Sequence, residues 1–182
     1  DALKRSFARD VHVVIPHFGY ARQDRVATPR EPISAKVMAN LVAAAGANHV
    51  IAIQFHSDQT QVFFPFPMDN IHSRNLFVNY LRKKKFKNPV VVAPDAGAAK
   101  EAGRLARDLD FPLAVLTKER PRFNIAEVTS VVGDVEGKTC IIFDDMIDTG
   151  GSVCAAHEAL IKQGANKDIF LVVPANTLGV IK

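Results

Sequence analysis

Short apolar runs rich in β-branched residues recur along the chain, each separated from the next by a stretch with helical spacing, and this alternation limits the possible folds more than any other feature. Val11-His-Val-Val-Ile15 reads as a buried strand ended by Pro16. Pro32 sits where a first helical turn tolerates proline; Ile33, Val37, Leu41 and Val42 then recur at helical spacing, and Gly46 ends that helix. His49-Val-Ile-Ala-Ile53 is the next strand. Residues 71–84 predict a helix, 89–93 a strand, 96–109 a helix and 112–116 a strand; 139–143 is a strand, 152–163 a helix and 169–173 the last strand. Strands of this kind, separated by helices, predict an α/β fold whose mainly parallel sheets are covered on both faces. Pro65-Phe66-Pro67 is the one plausible internal boundary, because two prolines flanking a single residue make a stiff, extended connection.

Composition removes several classes. At 48% hydrophobic and 23% charged residues, the chain is neither disordered nor collagen-like. Its longest apolar runs, such as 90–93 and 140–143, stop far short of a bilayer span, so no membrane partner is expected. The net charge of +4 is a mild excess, much of it in Arg82–Lys87 and Lys118–Arg122. The first cluster lacks the interleaved aromatics of a nucleic-acid face and reads as a solvated helix end. Cys140 and Cys154 have neither metal-ligand spacing nor a disulfide framework, which makes a reducing, cytoplasmic location the expectation. The chain opens Asp1-Ala-Leu-Lys-Arg5 without an initiator Met, so it is expected to be part of a longer polypeptide.

The strongest chemistry lies at Ile141-Ile-Phe-Asp-Asp-Met-Ile-Asp-Thr-Gly-Gly-Ser152. The run begins as a buried strand and ends as a helix start. Asp144 and Asp145 fall where the strand leaves the sheet, the edge at which open α/β sheets hold ligands. Thr149-Gly150-Gly151-Ser152 offers unblocked N–H groups and hydroxyls at a helix N-terminus, a cradle for phosphate. Adjacent carboxylates suit ribose hydroxyls or a hydrated Mg²⁺, both of which call for hard oxygen partners. The bland alternative is a turn with Ser152 as N-cap and the two acids merely solvated.

The same residues, Phe143 to Ser152, resemble the phosphoribosyl-pyrophosphate loop of type I phosphoribosyltransferases. Further motifs resemble one branch of that superfamily, the ribose-phosphate pyrophosphokinases (phosphoribosyl pyrophosphate synthetases). They are Ile15-Pro-His-Phe-Gly-Tyr-Ala-Arg-Gln-Asp-Arg25, Arg30-Glu-Pro-Ile-Ser-Ala-Lys36, Val92-Ala-Pro-Asp-Ala-Gly97 and Lys118-Glu-Arg-Pro-Arg122, with Asn124-Ile-Ala-Glu-Val128 and Gly133-Asp-Val-Glu-Gly-Lys138 following in order. The resemblance covers nearly the whole chain. It implies two phosphoribosyltransferase-like three-layer αβα halves, the first incomplete: residues 1–67 on the ATP side and 68–182 on the ribose 5-phosphate side.

The resemblance also implies roles. Arg22, Gln23 and Asp24 would contact ATP, for which a guanidinium fork is well matched. His56, at the carboxyl edge of the strand before it, would serve the Mg-nucleotide, and His56 with Asp95 would be the metal residues. Asp144, Asp145, Asp148, Thr149, Gly150, Gly151 and Ser152 would hold ribose 5-phosphate. Lys118 and Arg120, in a charged loop directly after strand 112–116, would be catalytic, on a flap closing over the reacting phosphates. The implied activity is transfer of pyrophosphate from ATP to ribose 5-phosphate with Mg²⁺, by a homo-oligomer of dimers assembling to a hexamer. Two other readings stand beside it: a non-catalytic, synthetase-associated regulatory subunit, and a transferase that consumes phosphoribosyl pyrophosphate. Intact Lys118, Arg120, His56 and Asp95 argue against the first, and the Arg22-Gln23-Asp24 segment against the second. The chain departs from the family's pattern at Asp58, at Gly97-Ala98 where Gly-Gly is common, and at Glu101 where a basic residue is usual, which puts an anion contact there in doubt.

Overall fold

A computed structural model describes residues 1–122 and 125–174, with the backbone alone for 118–122 and 125–129. The elements run α1 (Ala2–Arg5), β1 (His12–Ile15), α2 (Ser34–Ala44), β2 (His49–Ile53), a 3-10 turn (Asp58–Phe63), β3 (Met68–Ile71), α3 (Arg74–Arg82), β4 (Pro89–Ala93), α4 (Ala99–Leu109), β5 (Leu113–Arg122), β6 (Ile125–Val132), β7 (Thr139–Phe143), α5 (Gly151–Lys162) and β8 (Phe170–Val172). They form two compact units, Asp1–Ser73 and Arg74–Lys182. Pro65-Phe66-Pro67 lies inside the first, because the strand after it, β3, hydrogen-bonds to β2.

The first unit is built on a three-stranded parallel sheet, β1-β2-β3. Side chains alternate across it. Val13, Ile15, Val50, Ala52 and Met68 face a core made with Ala35 and Ala39 of α2 and with Phe18, Phe55 and Phe64. Phe18 packs edge-on against Phe55 at 5.1 Å between ring centroids, which anchors the long polar segment after β1. The opposite face carries His12, Val14, Ile51, Ile53, Asp69 and Ile71, and Val14 is 60% exposed. Within this unit α2 packs on one side of the sheet, as fits the incomplete one of the two halves.

The second unit has five strands in the order β6-β5-β4-β7-β8, parallel except for the antiparallel edge pair β5–β6. Here both faces are covered. Val91, Ala93, Ile141 and Phe143 pack against Val78 and Leu81 of α3 and Ala102, Leu105, Ala106 and Leu109 of α4. Val90, Val92, Cys140 and Ile142 point the other way, onto Ala156 and Leu160 of α5. The α4 contacts fall at three- and four-residue spacing, the stripe a helix needs to seat on a sheet. Asp110, in the left-handed region at φ 58°, ends it, and the Phe111 N–H returns to the Ala106 carbonyl at 2.9 Å.

Three elements differ from the sequence reading. Met68–Ile71 is a strand, and the helix expected from residue 71 starts at Arg74. The charged segment expected as a loop after residue 116 continues as strand: β5 runs to Arg122 and pairs with β6, which was not expected, with register irregularities at Thr117/Lys118 and Glu119/Arg122. The last helix begins at Gly151 with Gly150 as its N-cap, so Ser152 lies inside the first turn rather than capping it.

Candidate active site

In the second unit the parallel strands converge on one chemical feature at their carboxyl ends. Every residue of β7 is buried, so the strand is held without slack up to Phe143, and the Asp144 N–H extends its ladder to the Val172 carbonyl at 3.2 Å. The chain then turns out of the sheet at Asp144 and Asp145. The Asp145 N–H donates to Asp144 Oδ1 at 2.8 Å, folding the two carboxylates together. Burial pushes the Asp144 carboxyl up to about 7, and hydrogen bonding to Asp145 and the charges of Asp145 and Asp95 push in the same direction. Three carboxylates thus act on one another at the ends of β4 and β7.

Asp95 stands two residues beyond β4, and its Oδ1 accepts the Ala98 N–H at 3.1 Å at the start of α4. A Cβ on Gly97 would come within 3.2 Å of that oxygen, so the glycine lets the backbone pass close to the carboxylate. After Asp145, buried Ile147 pins the loop from beneath, while Asp148, Thr149, Gly151 and Ser152 are exposed. Gly150 sits at φ 80°, a conformation L side chains rarely adopt, and its carbonyl accepts the N–H groups of Val153 and Cys154 at 3.0 Å. The N–H groups ahead of them have no intrahelical acceptor, and the positive end of α5 lies among them. Carboxylates able to accept hydroxyls, next to backbone donors able to meet an anion, suit a ligand that carries both groups.

In the first unit, Arg22, Gln23 and Asp24 lie between buried Ala21 and α2. Arg22 and Gln23 are exposed and Asp24 is half-buried. The Gln23 carbonyl accepts the Ala35 N–H at 3.1 Å, tying this segment to the first turn of α2. His56 is exposed beyond the carboxyl end of β2. The residue two before it, Gln54, is the feature that pattern reading missed: a buried glutamine at φ 56°, whose Oε1 accepts from Ser73 Oγ at 2.7 Å. No sequence signal marks a left-handed glutamine. Asp58 accepts from Asn70 Nδ2 at 2.9 Å and stands 3.5 Å from His72 Nε2. Glu101 is paired with Arg74 and Arg104. The side chains of Lys118 and Arg120 lie outside the described residues, as does Asn124; the backbone of the first two is part of β5.

The donor chemistry fits Mg²⁺ at Asp95, Asp144 and Asp145. Among the described residues no three His, Cys, Asp or Glu side chains close on one point. Mg²⁺ does not need them to, since it keeps several waters and takes one or two carboxylates. Burial raises Asp144 most, and the charges of Asp145 and Asp95 that add to it are what a divalent cation relieves. An imidazole such as His56 is a poorer match for so hard an ion.

Comparison with known proteins agrees with this geometry. Residues 68–177 match the phosphoribosyl transferase domain, which makes the second unit and its loop a domain of the phosphoribosyltransferase class. Residues 1–46 match the N-terminal domain of ribose phosphate pyrophosphokinase. The chain is 47% identical over 171 residues to a ribose-phosphate pyrophosphokinase of Helicobacter hepaticus, covering 94% of this chain and 55% of the relative. It is 47% identical over 170 residues to that of Bacillus subtilis, covering 93% and 53%. The crystal structure of phosphoribosylpyrophosphate synthetase from Mycobacterium smegmatis matches with a TM-score of 0.83 at 40% identity, over 93% of this chain and 55% of that one. The chain belongs to the ribose-phosphate pyrophosphokinase family. It spans about half the length of these relatives.

Proposed function

We propose that the polypeptide carrying this chain makes 5-phosphoribosyl 1-pyrophosphate from ATP and ribose 5-phosphate. The ribose 1-hydroxyl oxygen attacks the β-phosphorus of ATP, the bond from that phosphorus to the α,β-bridging oxygen breaks, AMP leaves, and the hydroxyl proton passes to solvent. The observation that carries this reading is the loop from Asp144 to Ser152: paired carboxylates at a strand end, then a left-handed glycine opening a helix.

Asp144 and Asp145 accept the ribose hydroxyls, while Thr149, Ser152 and the N–H groups at the start of α5 take the 5-phosphate. Asp148 borders the same cradle, which Gly150 and Gly151 leave open to the anion. Arg22, Gln23 and Asp24 bind ATP, with His56 beside the nucleotide. Mg²⁺, near Asp95 and the Asp144–Asp145 pair, supplies charge neutralisation on the phosphates when bound. Lys118 and Arg120 bring positive charge to the oxygens that gain negative charge in the transition state. The first half serves ATP and the second ribose 5-phosphate, in a cytoplasmic homo-oligomer of dimers assembling to a hexamer.

The test is AMP release from Mg-ATP by the whole polypeptide, with and without ribose 5-phosphate. Release that requires the sugar phosphate is expected. A folded, oligomeric sample that releases none would instead be a regulatory subunit. In the same assay Lys118→Ala is expected to lower kcat by at least about tenfold with little change in ATP binding; an unchanged kcat would remove Lys118 from the catalytic set.

A further inference from the structure

The first sheet carries a polar group unrelated to the residues above, at the amino ends of its strands. His12 opens β1 and His49 opens β2, and the two are direct register partners, so their side chains stand on the same face. Their Nδ1 atoms are 3.1 Å apart and their rings are nearly perpendicular, at 79°. On the far side of His49, Nε2 lies 3.2 Å from Oδ2 of Asp69 on β3. The result is a row, His12–His49–Asp69, running across all three strands on the face opposite α2. Neither histidine belongs to the motifs that carry the family resemblance.

A contact between two Nδ1 atoms holds one proton, since each nitrogen is either donor or acceptor. Asp69 accepts from His49 Nε2–H, and in neutral imidazole that leaves Nδ1 as a bare lone pair aimed at His12. The same device, a carboxylate on the distal nitrogen, fixes the tautomer of histidines that ligate metals. With His12 in the matching tautomer, two lone pairs converge on one place. Two nitrogens bound at about 2.0–2.1 Å to a tetrahedral ion stand about 3.3–3.4 Å apart, a few tenths of an ångström from the spacing of this pair.

We propose that His12 and His49 form a two-nitrogen site for a divalent transition-metal ion of the zinc type, with Asp69 as the outer carboxylate that orients His49. The ion replaces the shared proton. Water completes its coordination, because His12 is exposed and the face beside it is open at Val14. No third His, Cys, Asp or Glu joins the pair among the described residues, so the site is an exchangeable one rather than a structural clamp. Imidazole donors select borderline ions over Mg²⁺, which separates this site from the oxygen donors at Asp95, Asp144 and Asp145.

The test is Co²⁺ titration of the whole polypeptide in excess MgCl₂, which keeps oxygen sites filled, read by visible absorption and by displacement with Zn²⁺. Histidine-dependent bands are expected, lost in both His12→Gln and His49→Gln, with affinity lowered about 10- to 100-fold in Asp69→Asn. Metal-free melting curves check that the variants fold. Nitrogen NMR of the unmodified protein gives the same answer without substitution: Zn²⁺ should shift Nδ1 of His12 and His49. Bands that survive both histidine variants, no bands up to millimolar Co²⁺, or Nδ1 resonances that Zn²⁺ leaves in place would each overturn the proposal.

Discussion

Asp144→Asn should make the protein more stable, and more so as the pH rises. Folding lifts the Asp144 carboxyl from about 3.8 to about 7. Between those values the folded protein holds a proton that the unfolded chain has released, so the wild type loses stability as pH rises through this window and is flat above it. Asparagine is nearly isosteric with the protonated acid. Its Oδ1 can still accept the Asp145 N–H, and its Nδ2 can donate to the Asp145 carboxylate as the acid O–H does. A shift of about three units corresponds to about 4 kcal/mol at 1.36 kcal/mol per unit, and relaxation of a half-buried carboxylate with water reduces this to roughly 2 kcal/mol. Urea unfolding of wild type and variant, without Mg²⁺ or phosphate compounds, at about pH 4, 6 and 8 measures it. The gap should open from near zero at the lowest pH to roughly 2 kcal/mol at the highest. A gap that is constant with pH, or that opens in the wild type's favour, would refute the assignment of Asp144 as a buried, repelled carboxyl. The same substitution should weaken ribose 5-phosphate binding, so stability is gained where the proposed function is lost.

Two further outcomes follow from the second unit. Gly133, between β6 and β7, sits at φ 108°, and a Cβ there would lie 2.9 Å from both the Leu113 carbonyl oxygen and the Ala114 Cα. Gly133→Ala should therefore cost about 2–3 kcal/mol in urea unfolding, and an unmoved midpoint would contradict the close approach of this turn to β5. Burial pushes the Cys140 thiol up to about 11, whereas Cys154 is exposed on α5. Native alkylation near neutral pH should label Cys154 alone, with Cys140 reacting only after denaturation, as peptide mapping would record.

Much of this was legible in the chain because the second unit is built from elements whose patterns agree with their environments. Val90–Ala93 and Cys140–Phe143 are apolar throughout and are buried on both faces. The turn at Gly150 was legible for a similar reason, since few residues other than glycine suit its backbone. What escaped was set by distant partners. Met68-Asp-Asn-Ile71 alternates too weakly to announce a strand, and β2 makes it one. Lys118–Arg122 carries charges and Pro121, which argue against a strand; pairing with β6 overrides them. The raised carboxyl of Asp144 depends partly on Asp95, 49 positions earlier, and no local pattern encodes that neighbour.

The face of the first sheet opposite α2 has a consequence for the order of events during synthesis. Residues 1–73 leave the ribosome before residues 74–182, and within them α2 packs on one side of the sheet. Until something covers it, Val14, Ile51, Ile53 and Ile71 present an apolar strip on a parallel sheet, a class of surface that ordinarily has helices against both sides. Covering that strip, by another segment of the whole polypeptide or by a second chain, is therefore a step of folding separate from building the second unit.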